Sequence, residues 1–299
     1  MAFFENLVNG LEHDGERASI IAMARQVFAL FGGVFASIEL DGSLGSPPMT
    51  RLDGQRVAIT CAASDLGSDV AARLRHAGAH VIAIDQVEAR CCDAMIVTDL
   101  ADPAALSRLA AELAEVPPDV LVNLSEIQPS WLHGGQAAAA LASLDTINLT
   151  VPAILARAVA GPMKRRGSGQ IVNVGSALGA IHFSWFAACS SSTTGLAALS
   201  QALRRELAGS GVCVTHINSR PARTAFNSAE ADRFLEVTGT KGDEPEWVAD
   251  RIVDAILARR GDVFLVRAER FRAMLNAIAP RLIDRILARQ MRRAHVELS

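Results

Sequence analysis

The chain has 299 residues, half of them apolar, which is enough for one large α/β domain or two small ones with a substantial core. Its formal net charge of −3 gives none of the basic field that nucleic-acid binding requires, so that class of partner is excluded on bulk charge. Five cysteines, odd in number and without a CxxC pair, and seven histidines without ligand spacing argue for reduced thiols and against a metal site.

Residues 1–50 read as a helical extension. Ile20, Ala24, Val27, Phe31, Val34 and Ile38 recur at helical spacing, and the stretch ends in the turn-rich GSLGSPP at 42–48. Docking on the protein, lying on a membrane and spanning one all remain open for this run, which Arg25 and Gln26 interrupt. Glu5, Glu12, Asp14 and Glu16 precede it, the opposite of the basic region that opens a secretory signal, so a cytoplasmic protein is expected.

From Arg51 to about 265 short apolar strands alternate with helical patterns. RVAIT is followed by a helix near 66–77, HVIAID by a helix near 103–115, and DVLVNL by a long helix near 140–165. QIVNVG is followed by a helix near 191–208, and then VCVTHI. Such alternation predicts parallel strands joined by crossover helices, a doubly wound Rossmann-type α/β sheet whose ligands gather at the carboxyl ends of the strands.

Residues 266–299 form a basic amphipathic end. Phe271, Leu275, Ile278, Leu282 and Ile286 repeat at helical spacing, Pro280 is expected to divide the run into two helices, and eight arginines between 267 and 293 face only Glu269 and Asp284. Packing on the protein or a partner, and contact with an anionic membrane surface, are both open.

The strand RVAIT runs into TCAASDLG, Thr60 to Gly67, where a dinucleotide fold places its glycine-rich turn. This turn and the segments after it resemble the short-chain dehydrogenase/reductase family, over roughly residues 51–260, with Cys61 and Asp65 in place of the first two glycines of TGxxxGxG. The resemblance implies vestigial cofactor positions at Thr60, Gly67, Asp85 (adenosine ribose), Asp99 (adenine), Asn123 and Thr224 (cofactor amide). Leu124, Ser125 and Glu126 replace the rest of the family's NNAG, and Ser219 and Arg220 replace its PG turn. A carboxylate near a diphosphate opposes the favourable field of a helix N-terminus, so Asp65 and Glu126 count against binding, as does the bulk of Cys61. Asp65 is also expected to cap the helix beginning at Leu66.

For catalysis the resemblance implies Asn148 in TINLT and Ser176 in IVNVGS. It puts Cys189 and Thr193 where the family has its tyrosine and lysine, in a chain that has no tyrosine at all. Hydride transfer to a carbonyl leaves an alkoxide that needs a proton from a phenol made acidic by a nearby ammonium, and a short thiol with a threonine cannot supply that pair. No local signature ties His182 or His216 to Cys189 as the base a nucleophilic thiol would need.

The losses fall on the cleft while the strands keep their buried pattern. The expected function is therefore a catalytically inactive relative with no cofactor, acting as a structural or regulatory subunit paired with an active short-chain dehydrogenase through the two long helices. Two alternatives stay open. One is an active oxidoreductase using NAD with non-standard residues, and the other is a binder of a small hydrophobic ligand or a membrane surface.

Overall fold

The computed structural model describes residues 49–124, 138–182, 186–220, 242–281, 283–285 and 287–288. Seven parallel strands form one sheet in the order β3-β2-β1-β4-β5-β6-β7. The strands are β1 (Arg56–Thr60), β2 (His80–Asp85), β3 (Ala94–Val97), β4 (Val120–Asn123), β5 (Gly169–Ser176), β6 (Val212–Ser219) and β7 (Asp262–Phe264). The chain reverses direction across the sheet between β3 and β4, which leaves the crevice of a doubly wound fold above the carboxyl ends of β1 and β4.

The helices are α1 (Asp65–His76), α2 (Pro103–Glu115), α3 (Ala138–Asp145), α4 (Val151–Arg166), α5 (Leu178–Ile181), α6 (Ala187–Glu206), α7 (Pro245–Ala258) and α8 (Arg267–Ile278). Their ends follow local rules. Asp102 accepts from the amides of Ala104 and Ala105 and caps α2, with Pro103 at the first helical position, where a missing N–H costs nothing. Gly167 ends α4 at φ 75°, a left-handed conformation that suits glycine.

Two apolar layers sandwich the sheet. One holds Val57, Ile59 and Val122 against Val70 and Leu74 of α1 and Ile252 and Ile256 of α7. The other holds Ala58, Leu121 and Ile171 against Leu106 and Leu109 of α2 and Leu155 and Val159 of α4. Each such valine, leucine or isoleucine contributes about 1.5–3 kcal/mol by leaving water. β1, β4 and β5 are buried along nearly their whole length, the reason they read as continuous apolar runs.

Four features differ from expectation. β3 is an edge strand of four apolar residues, exposed at both ends and half-buried between, too short to stand out in the sequence. α7 buries Val248, Ala249, Ile252, Val253, Ala255 and Ile256, an amphipathic pattern overlooked among the polar residues around it. The helix expected near 140–165 is α3 and α4 joined by a π-helical turn at Thr146–Thr150, where the amide of Val151 reaches back to the carbonyl of Thr146. α6 begins at Ala187, four residues before the expected start, so Cys189 sits in its first turn. Pro280 does act as a break: α8 stops at Ile278 and helix resumes at 280. The N-terminal run, Ser125, Glu126, Thr224 and the loop around 225–241 lie outside the described residues, as do Leu282 and Ile286.

Candidate active-site cleft

The turn between β1 and α1 keeps the backbone of a nucleotide-binding turn with other side chains on it. Cys61 has φ 57°, a left-handed conformation that favours glycine and strains a residue with a Cβ. A Cβ on Gly67 would collide with the carbonyl oxygen of Cys61 and come 2.9 Å from the Cα of Ala62, so only glycine lets α1 settle this closely on the turn. Ser64, not Asp65, caps the helix: its Oγ accepts from the amide of Gly67 at 3.0 Å and donates to the carbonyl of Cys61 at 2.9 Å. Asp65 is the first helical residue and is exposed, with its carboxylate at the positive end of the helix.

The amides that such a turn would offer to a phosphate are largely spent within the chain. Ala63 N–H donates to Asp85 Oδ2 at 2.9 Å, Ser64 N–H to Cys61 O at 3.3 Å, and Gly67 N–H to Ser64 Oγ. Asp85 also accepts from Gln86 N–H through its other oxygen, at 2.7 Å, so the carboxylate aligned with ribose binding instead ties the turn to β2. Asp99 is likewise engaged, accepting from Ala101 N–H and from Gln86 Nε2, each at 2.8 Å. Thr60 Oγ1 accepts from Leu124 N–H at 3.0 Å and joins the ends of β1 and β4.

Asn123 faces the other half of the sheet, in a polar row that crosses four strands in register with Asn173, His216 and Asp262. Asn123 Nδ2 donates to Asn173 Oδ1 at 2.7 Å, Asn173 Nδ2 donates to Ser200 Oγ at 2.9 Å, and Ser200 Oγ lies 3.3 Å from His216 Nδ1. Burial pushes the His216 imidazolium pKa down, against the pull of Asp262, while Arg204 adds to the lowering. Asn123 Oδ1 and His216 Nε2 are buried without a hydrogen-bond partner. The row cannot be seen in the sequence because its members are scattered over 140 positions and only strand register aligns them.

The residues aligned with catalysis gather around the start of α6. Asn148, lifted inward by the π-turn, donates to Ser192 Oγ at 3.3 Å, one position before Thr193. Cys189 is 1% exposed, and Thr193 Oγ1 donates back to the Cys189 carbonyl at 2.7 Å, so its hydroxyl serves its own helix. Ser176 ends β5 beside Ser219, and the segment after it, α5, lies directly on α6: Thr194 Oγ1 donates to Gly179 O at 2.6 Å, and a Cβ on Gly179 would meet Thr193 Oγ1 at 2.6 Å. His216 faces Ser200, eleven positions along α6 from Cys189, which at 1.5 Å per residue is roughly 16 Å away along the helix axis. His182 has its Nδ1 3.3 Å from Asn276 Nδ2. Neither contact places a base at the thiol.

Arg220, aligned with the glycine of the family's PG turn, pairs with Asp243 in a bidentate contact, Nε donating to Oδ2 at 3.0 Å and Nη2 to Oδ1. Asp243 holds the guanidinium charged, its hydrogen bond outweighing the cost of burial. The pair clasps the two ends of the segment 221–241. Among the described residues no cluster of His, Cys, Asp and Glu could hold a metal ion.

The comparisons with known proteins agree with this geometry. The family model for short chain dehydrogenase matches residues 55–233. The chain is 27% identical to the ketoacyl reductase HetN of Nostoc sp. over 259 residues, 80% of this chain and 90% of that one. It is 34% identical to a galactitol 2-dehydrogenase (L-tagatose-forming) of Cereibacter sphaeroides over 180 residues, 55% of this chain and 70% of that one. Among solved structures, a putative NAD(P)-dependent gluconate 5-dehydrogenase from Beutenbergia cavernae with bound NADP superposes with a TM-score of 0.64 at 27% identity, covering 72% of this chain and 96% of that one. A short-chain dehydrogenase from Sphingobium yanoikuyae in complex with NADPH gives 0.65 at 25% identity, covering 77% and 95%. Sheet order, turn geometry and the family match converge: the chain belongs to the short-chain dehydrogenase family of oxidoreductase folds.

Proposed function

We propose that this chain is a member of the family without hydride-transfer chemistry of its own, serving as a structural or regulatory partner of a catalytically complete relative in a reducing, cytoplasmic compartment. The observation that carries this reading is the self-satisfied turn: Ala63, Ser64 and Gly67 spend their amides on Asp85, Cys61 and Ser64. A dinucleotide diphosphate needs those donors and a positive field, and here Asp65 adds a carboxylate at the same helix end. The residues present do not fit NAD or NADP. Cys189 and Thr193 supply no phenol and no ammonium, and no disulfide joins the five cysteines, in keeping with the compartment.

The partner part of the reading rests on the outer sides of two helices. α3 and α4 leave Ala138, Ala139, Ala140 and Ile154 exposed, and α6 leaves Ala187, Ser191, Ala198 and Ala202 exposed at spacings of four and seven. Small side chains in such a row let a second helix approach closely, and a self-similar surface accepts a related subunit in place of a copy. Co-expression with an intact family member, affinity purification and an activity assay test it. Co-purification is expected, and a stable homodimer that retains no family member overturns the pairing.

Calorimetric titration with NADH and NADPH tests the cofactor part. No binding is expected, and a dissociation constant tighter than about 50 μM for either overturns it. Restoring only the catalytic pair, Cys189→Tyr with Thr193→Lys, is expected to give no ketone reduction, because the turn is disabled separately. An active NAD-dependent oxidoreductase is the second reading, favoured by the retained Asn148, Ser176, Asp85 and Asp99 and by relatives named as a reductase and a dehydrogenase. It predicts the opposite result in the same titration.

A further inference from the structure

The C-terminal helix is amphipathic with its polar side turned inward. Glu269 is 4% exposed and its carboxylate accepts from Arg272 Nη1 at 2.9 Å. One turn further on, Asn276 Nδ2 donates to the carbonyl of Ala180 in α5 at 3.1 Å. Glu269, Arg272 and Asn276 share one side of α8, and that side is the one fixed to the body. At 3.6 residues per turn, Arg267, Arg270, Met274 and Ile278 fall within an arc of about 80° on the opposite side.

That outer side is basic and apolar together. Arg267 and Arg270 are exposed, Met274 is half-buried and Ile278 is 41% exposed. Beyond the break at Pro280, Arg281 and Arg285 are exposed as well, with Asp284 between them. Because Glu269 is turned inward and neutralised by Arg272, the acid that would offset the outer row is removed from it. A buried acid under an outer row of arginines and aliphatic side chains is the reverse of what a helix closing a core would show. It matches a helix lying at a headgroup boundary, where guanidinium groups meet phosphates and aliphatic side chains enter the acyl region.

We propose that α8 and the turn after it form a peripheral docking surface for an anionic lipid membrane, with Arg267, Arg270, Arg281 and Arg285 contacting headgroups and Ile278 inserting between them. The rest of the chain is net acidic, so this end turns toward a negative surface and the remainder turns away. Anchoring by Asn276 to α5, the segment after Ser176, sets the mouth of the cleft beside the membrane. Docking of this kind does not depend on whether the cleft binds a nucleotide.

Co-sedimentation of the full chain with phosphatidylcholine vesicles, with and without about one-third phosphatidylglycerol, tests it. Binding to the anionic vesicles alone is expected, released at high salt. The variant Arg267→Glu/Arg270→Glu/Arg281→Glu/Arg285→Glu should bind at least about tenfold more weakly, with an unchanged melting curve. Ile278→Asp should weaken binding on its own. If the quadruple variant fails to fold, Arg267→Gln/Arg270→Gln serves in its place. No binding to anionic vesicles, equal binding to neutral ones, or unchanged binding by the arginine variants overturns the proposal. So does light scattering in which the arginine variants change self-association and not lipid binding.

Discussion

The turn after β1 and the first two turns of α6 carry comparable sequence losses but respond to them differently. At the turn the backbone holds its family shape even with a cysteine in a left-handed position, because Gly67 locks it against α1 and Asp85 clasps Ala63. At α6 the helix needs no special residue, so Thr193 simply returns its hydroxyl to the Cys189 carbonyl and the site fills with local hydrogen bonds. Packing constraints hold a backbone shape when the side chains on it differ, whereas an arrangement made only of side chains leaves nothing behind when those change.

The contrast between the two regions is tested most severely at Gly67. Gly67→Ala drives a Cβ into the Cys61 carbonyl and the Ala62 backbone, neither of which can yield without moving β1 from α1. A loss of about 3 kcal/mol or more in urea denaturation is expected. A loss below about 1 kcal/mol would mean that the turn is not locked.

The polar row beneath α6 gives the next effect. Because burial lowers the pKa of His216 in the folded state, the unfolded chain binds more protons below its ordinary value of about 6.5. The contribution of this residue is therefore fully present above about pH 6.5 and declines as the pH falls through and below that value. Asp262 on β7 and, less strongly, Asn218 on β6 oppose the shift, Arg204 on α6 reinforces it, and Ser200 Oγ faces Nδ1 as an uncharged neighbour. Denaturation midpoints of the wild type should drop between pH 7.5 and 5.5 by more than those of His216→Gln. Parallel acid limbs for the two proteins would show that His216 carries no share of the acid response.

A smaller gain is expected at the turn itself. Cys61→Gly relieves a left-handed backbone without touching the clasp and should stabilise the fold by up to about 1 kcal/mol in the same denaturation assay. A loss of stability would show that the thiol packs usefully there. Smallest is the pair Arg73–Asp250, which links α1 to α7 at 2.6 Å and holds the Arg73 guanidinium charged through its hydrogen bond. Asp250 is more than half exposed, so Asp250→Asn should cost less than about 1 kcal/mol.

The strands were legible because burial on both faces writes a continuous apolar run, as in RVAIT and DVLVN, and the alternation with helices implied parallel pairing. Spacing from strand ends singled out Asn148, Ser176, Cys189 and Thr193, and in the fold Asn148 meets Ser192 while Thr193 bonds back to the Cys189 carbonyl. The edge strand β3 was not legible, because four residues are too short a run to carry a periodic signal. Nor was α7, although its pattern was present to be read. Glu269 looked like one acid in a basic solvated helix, and nothing local marked it as the buried side chain.

By itself, then, the sequence determined the doubly wound architecture and the absence of the tyrosine and lysine, both being properties of residue type and order. Tertiary structure decided which groups are already spoken for. That Asp85 bonds to Ala63 and not to open solvent, that Ser64 takes the capping position expected of Asp65, and that Asn123, Asn173 and His216 form one row all depend on hydrogen bonds between segments distant in the chain. Hydrogen bonds are short and directional, so they are fixed by strand register and helix docking to within fractions of an ångström, a precision that composition and periodicity do not carry.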